Sequence, residues 1–169
     1  MLRVCPRAGA HRGTTRSIGA VTLPGSKYHE TMLVRPARPA DIPRLVEIRA
    51  AVRENRLADP CSIAAADYAP YIERGHIWVA GEEGAIAGFA ALDAEAASVW
   101  ALFVAPEAEG RGAGRLLLDR LVAEARRLGL PALRLTTEAG SRAERLYRAA
   151  GWTAMGRDSK ETLTMQLEL

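Results

Sequence analysis

The chain is poor in the residues that staple or metallate a small protein. Its 169 residues include only two cysteines, Cys5 and Cys61, 56 positions apart. Neither a disulfide framework nor a zinc ligand set can be built from such a pair. The three histidines, His11, His29 and His76, do not cluster, and no metal is implied. Long apolar runs are missing as well. Arg, Asp, Glu or Gly interrupts every apolar stretch within about ten positions, short of the roughly 18 residues that a membrane helix needs. No membrane partner is expected. The chain start lacks the apolar stretch of about 7 to 15 residues of a secretory signal, which argues against export and makes a cytoplasmic location the expectation. Its Arg-rich, acid-poor composition leaves an organelle transit segment open. Lysine is nearly absent, two of 23 basic residues (Lys27 and Lys160), which with abundant Ala points to a GC-rich coding sequence rather than to function.

What is present describes one domain with a sizeable core: 49% hydrophobic and 25% charged residues in 18.2 kDa. The formal charge of +3 and pI near 9.2 suggest an anionic partner, until the charge is located. Residues 1–31 hold Arg3, Arg7, Arg12, Arg16 and Lys27 against Glu30 alone, a net +4. The remaining 18 basic and 19 acidic residues leave 32–169 at −1. Residues 1–31 therefore read as a disordered basic extension, and Met32, which opens the first patterned segment, as an alternative translation start. A nearly neutral body, 32–169, is not expected to bind nucleic acid.

Within 32–169, Met32 to Arg35 is strand-like, and Asp41 with Pro43 starts a helix that carries Ile42, Leu45, Val46, Ile48 and Val52 at helical spacing. A weaker helix is expected over 63–73, kinked at Pro70 and ended by Gly75. Strand patterns follow at 76–80, 85–92 and 98–104, the first two joined by the hairpin signal Gly81-Glu-Glu-Gly84. A long amphipathic helix through Leu116, Leu117, Leu118, Leu121, Val122 and Ala125 closes at Gly129. A strand at 132–137, a helix at 141–150 and a strand at 162–169 complete the order, with room for a short strand at 152–155. This order predicts an α+β fold around one mixed, mostly antiparallel sheet in which 98–137 forms a parallel strand-helix-strand unit.

Between the third meander strand and the long helix lies Glu109-Gly110-Arg111-Gly112-Ala113-Gly114-Arg115. Glycines there permit a tight turn and leave backbone N–H groups free at a helix start, a geometry that favours phosphate. A nucleotide P-loop would need Lys and then Ser or Thr after its last glycine, where Arg115 and Leu116 stand. A dinucleotide fingerprint begun at Gly112 would need Gly or Ala where Leu117 stands.

The stretch from Leu102 to Leu117 resembles the signature of the GNAT superfamily of N-acetyltransferases, Gln/Arg-x-x-Gly-x-Gly/Ala, with Gly112 and Gly114 at the small positions. Glu109 stands where the family has Gln or Arg, and is expected to turn to solvent. Ala143-Glu-Arg-Leu146-Tyr147, followed by Gly151-Trp152, is similar to the family's second motif. Gly140 replaces a usual Asn, with Ser141 beside it as a substitute cofactor contact. The resemblance covers about 32–169.

It implies acetyl-CoA as co-substrate, lying along the strand at 98–104. Leu102, Phe103 and Val104 would meet the pantetheine arm, and the N–H of Leu102 would face the thioester oxygen. The pyrophosphate would sit on Gly110, Arg111, Gly112, Ala113, Gly114 and Arg115. Tyr147 takes the place of the general acid, since a phenol with a pKa of about 10 stays protonated at neutral pH. Histone-type relatives carry a Glu base where this chain has Ser98, so the base is sought among Glu54, Asp59, His76, Asp93 and Glu95, with Glu54 the first choice. Trp78 and Trp100 are expected to be packing residues. Cys61 shows no triad partners, which favours direct transfer to a primary amine over an acyl-enzyme. The alternative is a non-catalytic acyl-CoA-binding module on the same scaffold. Dimers are frequent in the family, so a homodimer is left open.

Overall fold

A computed structural model describes residues 32–52, 63–82, 84–157 and 161–169. The readings made for 1–31, Glu54, Asp59 and Cys61 fall outside these residues. Among the described residues, seven strands and four α-helices follow one another as β1 (Leu33–Pro36), α1 (Ile42–Ala51), α2 (Ala69–Glu73), β2 (Ile77–Glu82), β3 (Ala85–Asp93), β4 (Ser98–Val104), α3 (Ala113–Arg127), β5 (Ala132–Glu138), α4 (Arg142–Ala149), β6 (Thr153–Arg157) and β7 (Thr162–Glu168). They form one sheet in the order β1-β2-β3-β4-β5-β7-β6. Only β4 and β5 run parallel, as the α+β reading expects. No helix among the described residues is long and apolar enough to cross a membrane.

Each face of the sheet buries its own core. On one face, the α3 stripe of Leu117, Leu118, Leu121 and Ala125 packs with Trp78, Leu92, Leu133 and Met165. On the other, Leu45 and Ile48 of α1 pack with Tyr68, Phe89 and Phe103. The alternation of Leu163 and Met165 along β7 reaches the first core as a period-two strand should.

Local chemistry moves several boundaries. Asp41 does not cap α1; its carboxylate accepts from the Arg38 N–H at 2.7 Å and from Arg35 at 2.7 and 3.0 Å, closing a 3-10 turn at Pro39–Asp41. Pro70 does not kink a helix but stands in the first turn of α2, where its missing N–H has no role, behind a 3-10 turn at Ala65–Tyr68. The long helix α3 begins at Ala113, a turn before its first leucine.

Glu124 is buried on α3 and is held by Arg127 at 2.5 Å and Arg120 at 3.1 Å. The Arg127 hydrogen bond, aided by Arg120, keeps its carboxyl below the usual range. A depressed native pKa stabilises the fold above the ordinary carboxylate value of about 4.3, and that stabilisation fades as pH falls through the native value. Glu124→Gln is therefore expected to cost about 1 kcal/mol at pH 7. The deficit should shrink towards zero below pH about 4, as measured by urea midpoints at the two pH values.

Candidate active site

Strand β4 is where the sheet opens. Its pairing with β3 slips between Ala91 and Leu92, so that Ala91 faces Ala101 while Leu92 faces Val99, and Trp100 becomes the extra residue of a β-bulge. A bulge adds local twist. Beyond it β4 parts from β5: the two strands share a single registered pair, Ser98 with Arg134, beside an Arg134 N–H to Ala97 carbonyl bond of 3.0 Å.

The exposed edge has a defined polarity. The Ala105 N–H donates to the Ala87 carbonyl of β3 at 2.8 Å. Since N–H directions alternate along a strand, Phe103 also points at β3, while Leu102 and Val104 turn their N–H and C=O groups towards the gap. A cavity of about 350 Å³ lies beside this edge of β4. Leu102, Phe103 and Val104 form one wall, the glycine turn a second, and Ala143 and Leu146 of α4 a third.

The turn delivers α3 into the same cavity. Gly112 precedes the helix with φ of 90°, a left-handed conformation that a side chain resists. The first intrahelical bond runs from the Leu116 N–H to the Gly112 carbonyl at 3.1 Å, so the N–H groups of Ala113, Gly114 and Arg115 have no acceptor within the helix. A Cβ on Gly114 would come within 3.2 Å of the Leu146 side chain, which shows how closely the turn approaches α4. The helix start is positive and lined with donors, a suitable seat for a pyrophosphate.

Ion pairs brace the turn from three sides. Arg111 pairs with Glu82 at the end of β2, Arg115 pairs with Asp119 at 2.9 Å, and Glu109 pairs with Arg142 at the start of α4. Glu109 is therefore not simply turned to solvent. The carboxylate at this position carries its own counter-charge, supplied by a residue that lines the same cavity.

The remaining site residues are less gathered. Ser141 is buried and its Oγ accepts the Glu144 N–H at 3.1 Å, so it caps α4. Tyr147, 5% exposed, is turned into the core, its ring 5.6 Å from that of Trp152; Leu146, its neighbour, is the residue that lines the cavity. Burial pushes the Tyr147 phenol above its ordinary value, keeping it protonated. Asp93 accepts N–H bonds from Glu95 and Ala96 at 3.1 and 3.0 Å, and Glu95 pairs with Arg74. Both act as turn residues. Among the described residues no group of three His, Cys, Asp or Glu is placed to hold a metal ion. Trp78 is a packing residue, fully buried beneath Arg120, whereas Trp100 is half-buried and stacks on Tyr71 at 4.4 Å.

A parted parallel strand pair, a glycine turn that opens a helix beside it, and a second helix against that turn leave a cleft suited to an extended ligand with an anionic end. The model of the acetyltransferase (GNAT) family matches residues 43–152, and the chain belongs to that family. Among solved structures it is similar to yncA from Salmonella typhimurium, determined with its cofactor acetyl-CoA. There, 25% of residues are identical, the TM-score is 0.68, and 82% of this chain and 94% of that one are covered. The ribosomal-protein-alanine N-acetyltransferase from Brucella melitensis is 29% identical, with a TM-score of 0.66 and coverage of 81% of this chain and 99% of that one. The paia N-acetyltransferase from Thermoplasma acidophilum, in complex with coenzyme A, shares the fold at 14% identity, with a TM-score of 0.67 and 82% and 99% coverage.

Proposed function

We propose that the protein is an acetyl-CoA-dependent N-acetyltransferase that passes acetyl directly to the primary amine of a small molecule or peptide. The observation that carries this reading is the opening between β4 and β5, with the start of α3 at its mouth. Acetyl-CoA fits it in kind: an extended amide-bearing arm beside unpaired strand edges and a pyrophosphate beside unpaired helix N–H groups. When bound, acetyl-CoA supplies the thioester whose acyl group is transferred.

The chain's own groups do the rest. Leu102 donates its N–H to the thioester oxygen that gains charge as the amine attacks; loss of such a donor costs roughly 3 kcal/mol. The Gly110 to Arg115 turn holds the pyrophosphate, with Arg111 or Arg115 pairing its charge. Tyr147, kept neutral by burial, gives its proton to the departing CoA thiolate. The reading places the enzyme in the cytoplasm, where acetyl-CoA is supplied, and keeps Glu54 as the first candidate for the base.

One observation favours the alternative of a non-catalytic acyl-CoA-binding module: Tyr147 is not among the residues lining the cavity. The purified full chain, given acetyl-CoA and a panel of primary amines, separates the two. Thiol release that requires an amine is expected. Thermal stabilisation by acetyl-CoA with no thiol release from any amine would establish the module instead.

A further inference from the structure

On the sheet face opposite α3, the guanidinium of Arg49 sits among aromatic rings. Its Cζ lies 4.4 Å from the ring centre of Trp100, 4.8 Å from Phe103, 5.5 Å from Tyr68 and 6.0 Å from Phe89. Such rings favour a cation but accept no conventional hydrogen bond from it. Arg49 Nε and Nη2 and the hydroxyl of Tyr68 are all buried; the guanidinium and the phenol interact with each other, but none of the three atoms has a partner at full hydrogen-bond geometry among the described residues. Tyr68 itself is 0% exposed. Burial pushes the Arg49 guanidinium below its ordinary value, outweighing the opposing pull of Tyr68, Tyr71 and Asp67. The nearby carboxylate of Asp67 instead accepts the Ala64 N–H at 2.7 Å. Buried donors left without acceptors are rare in native proteins, and each calls for an explanation.

The cage adjoins the reaction cavity. Phe103 belongs to both, and Val52, which lines the cavity, stands three residues after Arg49 on the same side of α1. The bulge in β4 brings Trp100 to this side of the sheet, next to Ala101, where it stacks on the half-buried Tyr71. A planar cationic fork beside a neutral hydroxyl matches a carboxylate, whose two oxygens can accept from all three orphaned groups.

We propose that the acceptor of this enzyme is an amino-acid-like molecule, a primary amine whose carboxylate, a few bonds from the reacting nitrogen, is bound by Arg49 and Tyr68. The proposal rests on the acetyltransferase reading. With the nitrogen in the cavity and the carboxylate in the cage, the two ends of the molecule would flank Phe103, which borders both, and this suits a compact amino acid. The Trp100–Tyr71 pair forms an apolar wall for its side chain.

The test uses the full chain, acetyl-CoA and matched acceptors: α-amino acids, β-alanine and γ-aminobutyrate, each beside its carboxamide, with thiol release giving kcat/KM. At least one acid is expected to exceed its carboxamide by roughly tenfold to hundredfold, expressed mainly in KM. Arg49→Gln should bring the acid down towards its carboxamide, Arg49→Lys should keep part of the preference, and Tyr68→Phe should lose a smaller part. Equal use of acids and carboxamides by the unmodified chain would overturn the carboxylate subsite and leave the acetyltransferase reading intact. A cage that is merely structural would show as Arg49→Gln lowering both forms alike. Stabilisation by acetyl-CoA without turnover of any acceptor would overturn both.

Discussion

Tyr147→Phe is expected to lower kcat about a hundredfold or more while acetyl-CoA affinity and thermal stability stay near those of the unmodified chain. The substitution removes one hydroxyl and keeps the ring that packs on Trp152, 5.6 Å away in the core of α3 and α4. A general acid gives a factor of about 10² to 10⁴, and the leaving CoA thiolate, with a thiol pKa near about 8.5, gains from a proton delivered as the bond breaks. Desolvation by burial raises the pKa of the Tyr147 phenol. The acid form therefore persists across the working range, and the alkaline limb of the kcat profile should lie above pH about 10. Steady-state kinetics with calorimetric acetyl-CoA binding checks both parts. An unchanged kcat removes the acid role.

Gly112→Val is the second large effect. Gly112 has φ of 90°, and an L-residue in a left-handed conformation costs roughly 1–2 kcal/mol, more when β-branched. The backbone can relieve that strain by re-forming the first turn of α3, which swings the N–H groups of Ala113, Gly114 and Arg115 away from the pyrophosphate. Each charge-assisted hydrogen bond lost is worth about 1.5–3 kcal/mol, so acetyl-CoA should bind at least tenfold more weakly. Titration calorimetry reads this directly. Wild-type affinity in a folded Gly112→Val chain would mean that the turn does not hold the phosphates.

Much of this was legible from residue patterns because the signals are local. Helical spacing from Leu116 to Ala125 and the Gly81–Gly84 turn each specify an element with little help from distant contacts. What was hidden depends on pairs far apart in the chain. The bulge at Trp100 is a property of the β3–β4 register, and strict alternation would have put Trp100 on the face of Leu102. Glu109 looked unpaired until folding brought Arg142 beside it, 33 positions on. Asp41 looked like a helix cap because Arg35 and Arg38, its true partners, are placed by a 3-10 turn that no spacing rule announces.

Arg49 did leave a signal in the sequence. It lies four residues after Leu45 and three before Val52, inside the apolar stripe of α1, where a charge is out of place unless something answers it. Its aromatic neighbours come from α1's surroundings on three other segments, and only their convergence makes the position a site.

The most direct test of the central claim follows the acetyl group itself. The full chain is incubated with acetyl-CoA carrying an isotopic label on the acetyl carbons and a mixture of primary amines, and products are resolved by mass spectrometry and NMR. The account predicts a labelled amide on at least one amine, formed in step with one free CoA thiol per amide. Label that stays on CoA while the protein binds it, or that leaves only as acetate, would contradict it.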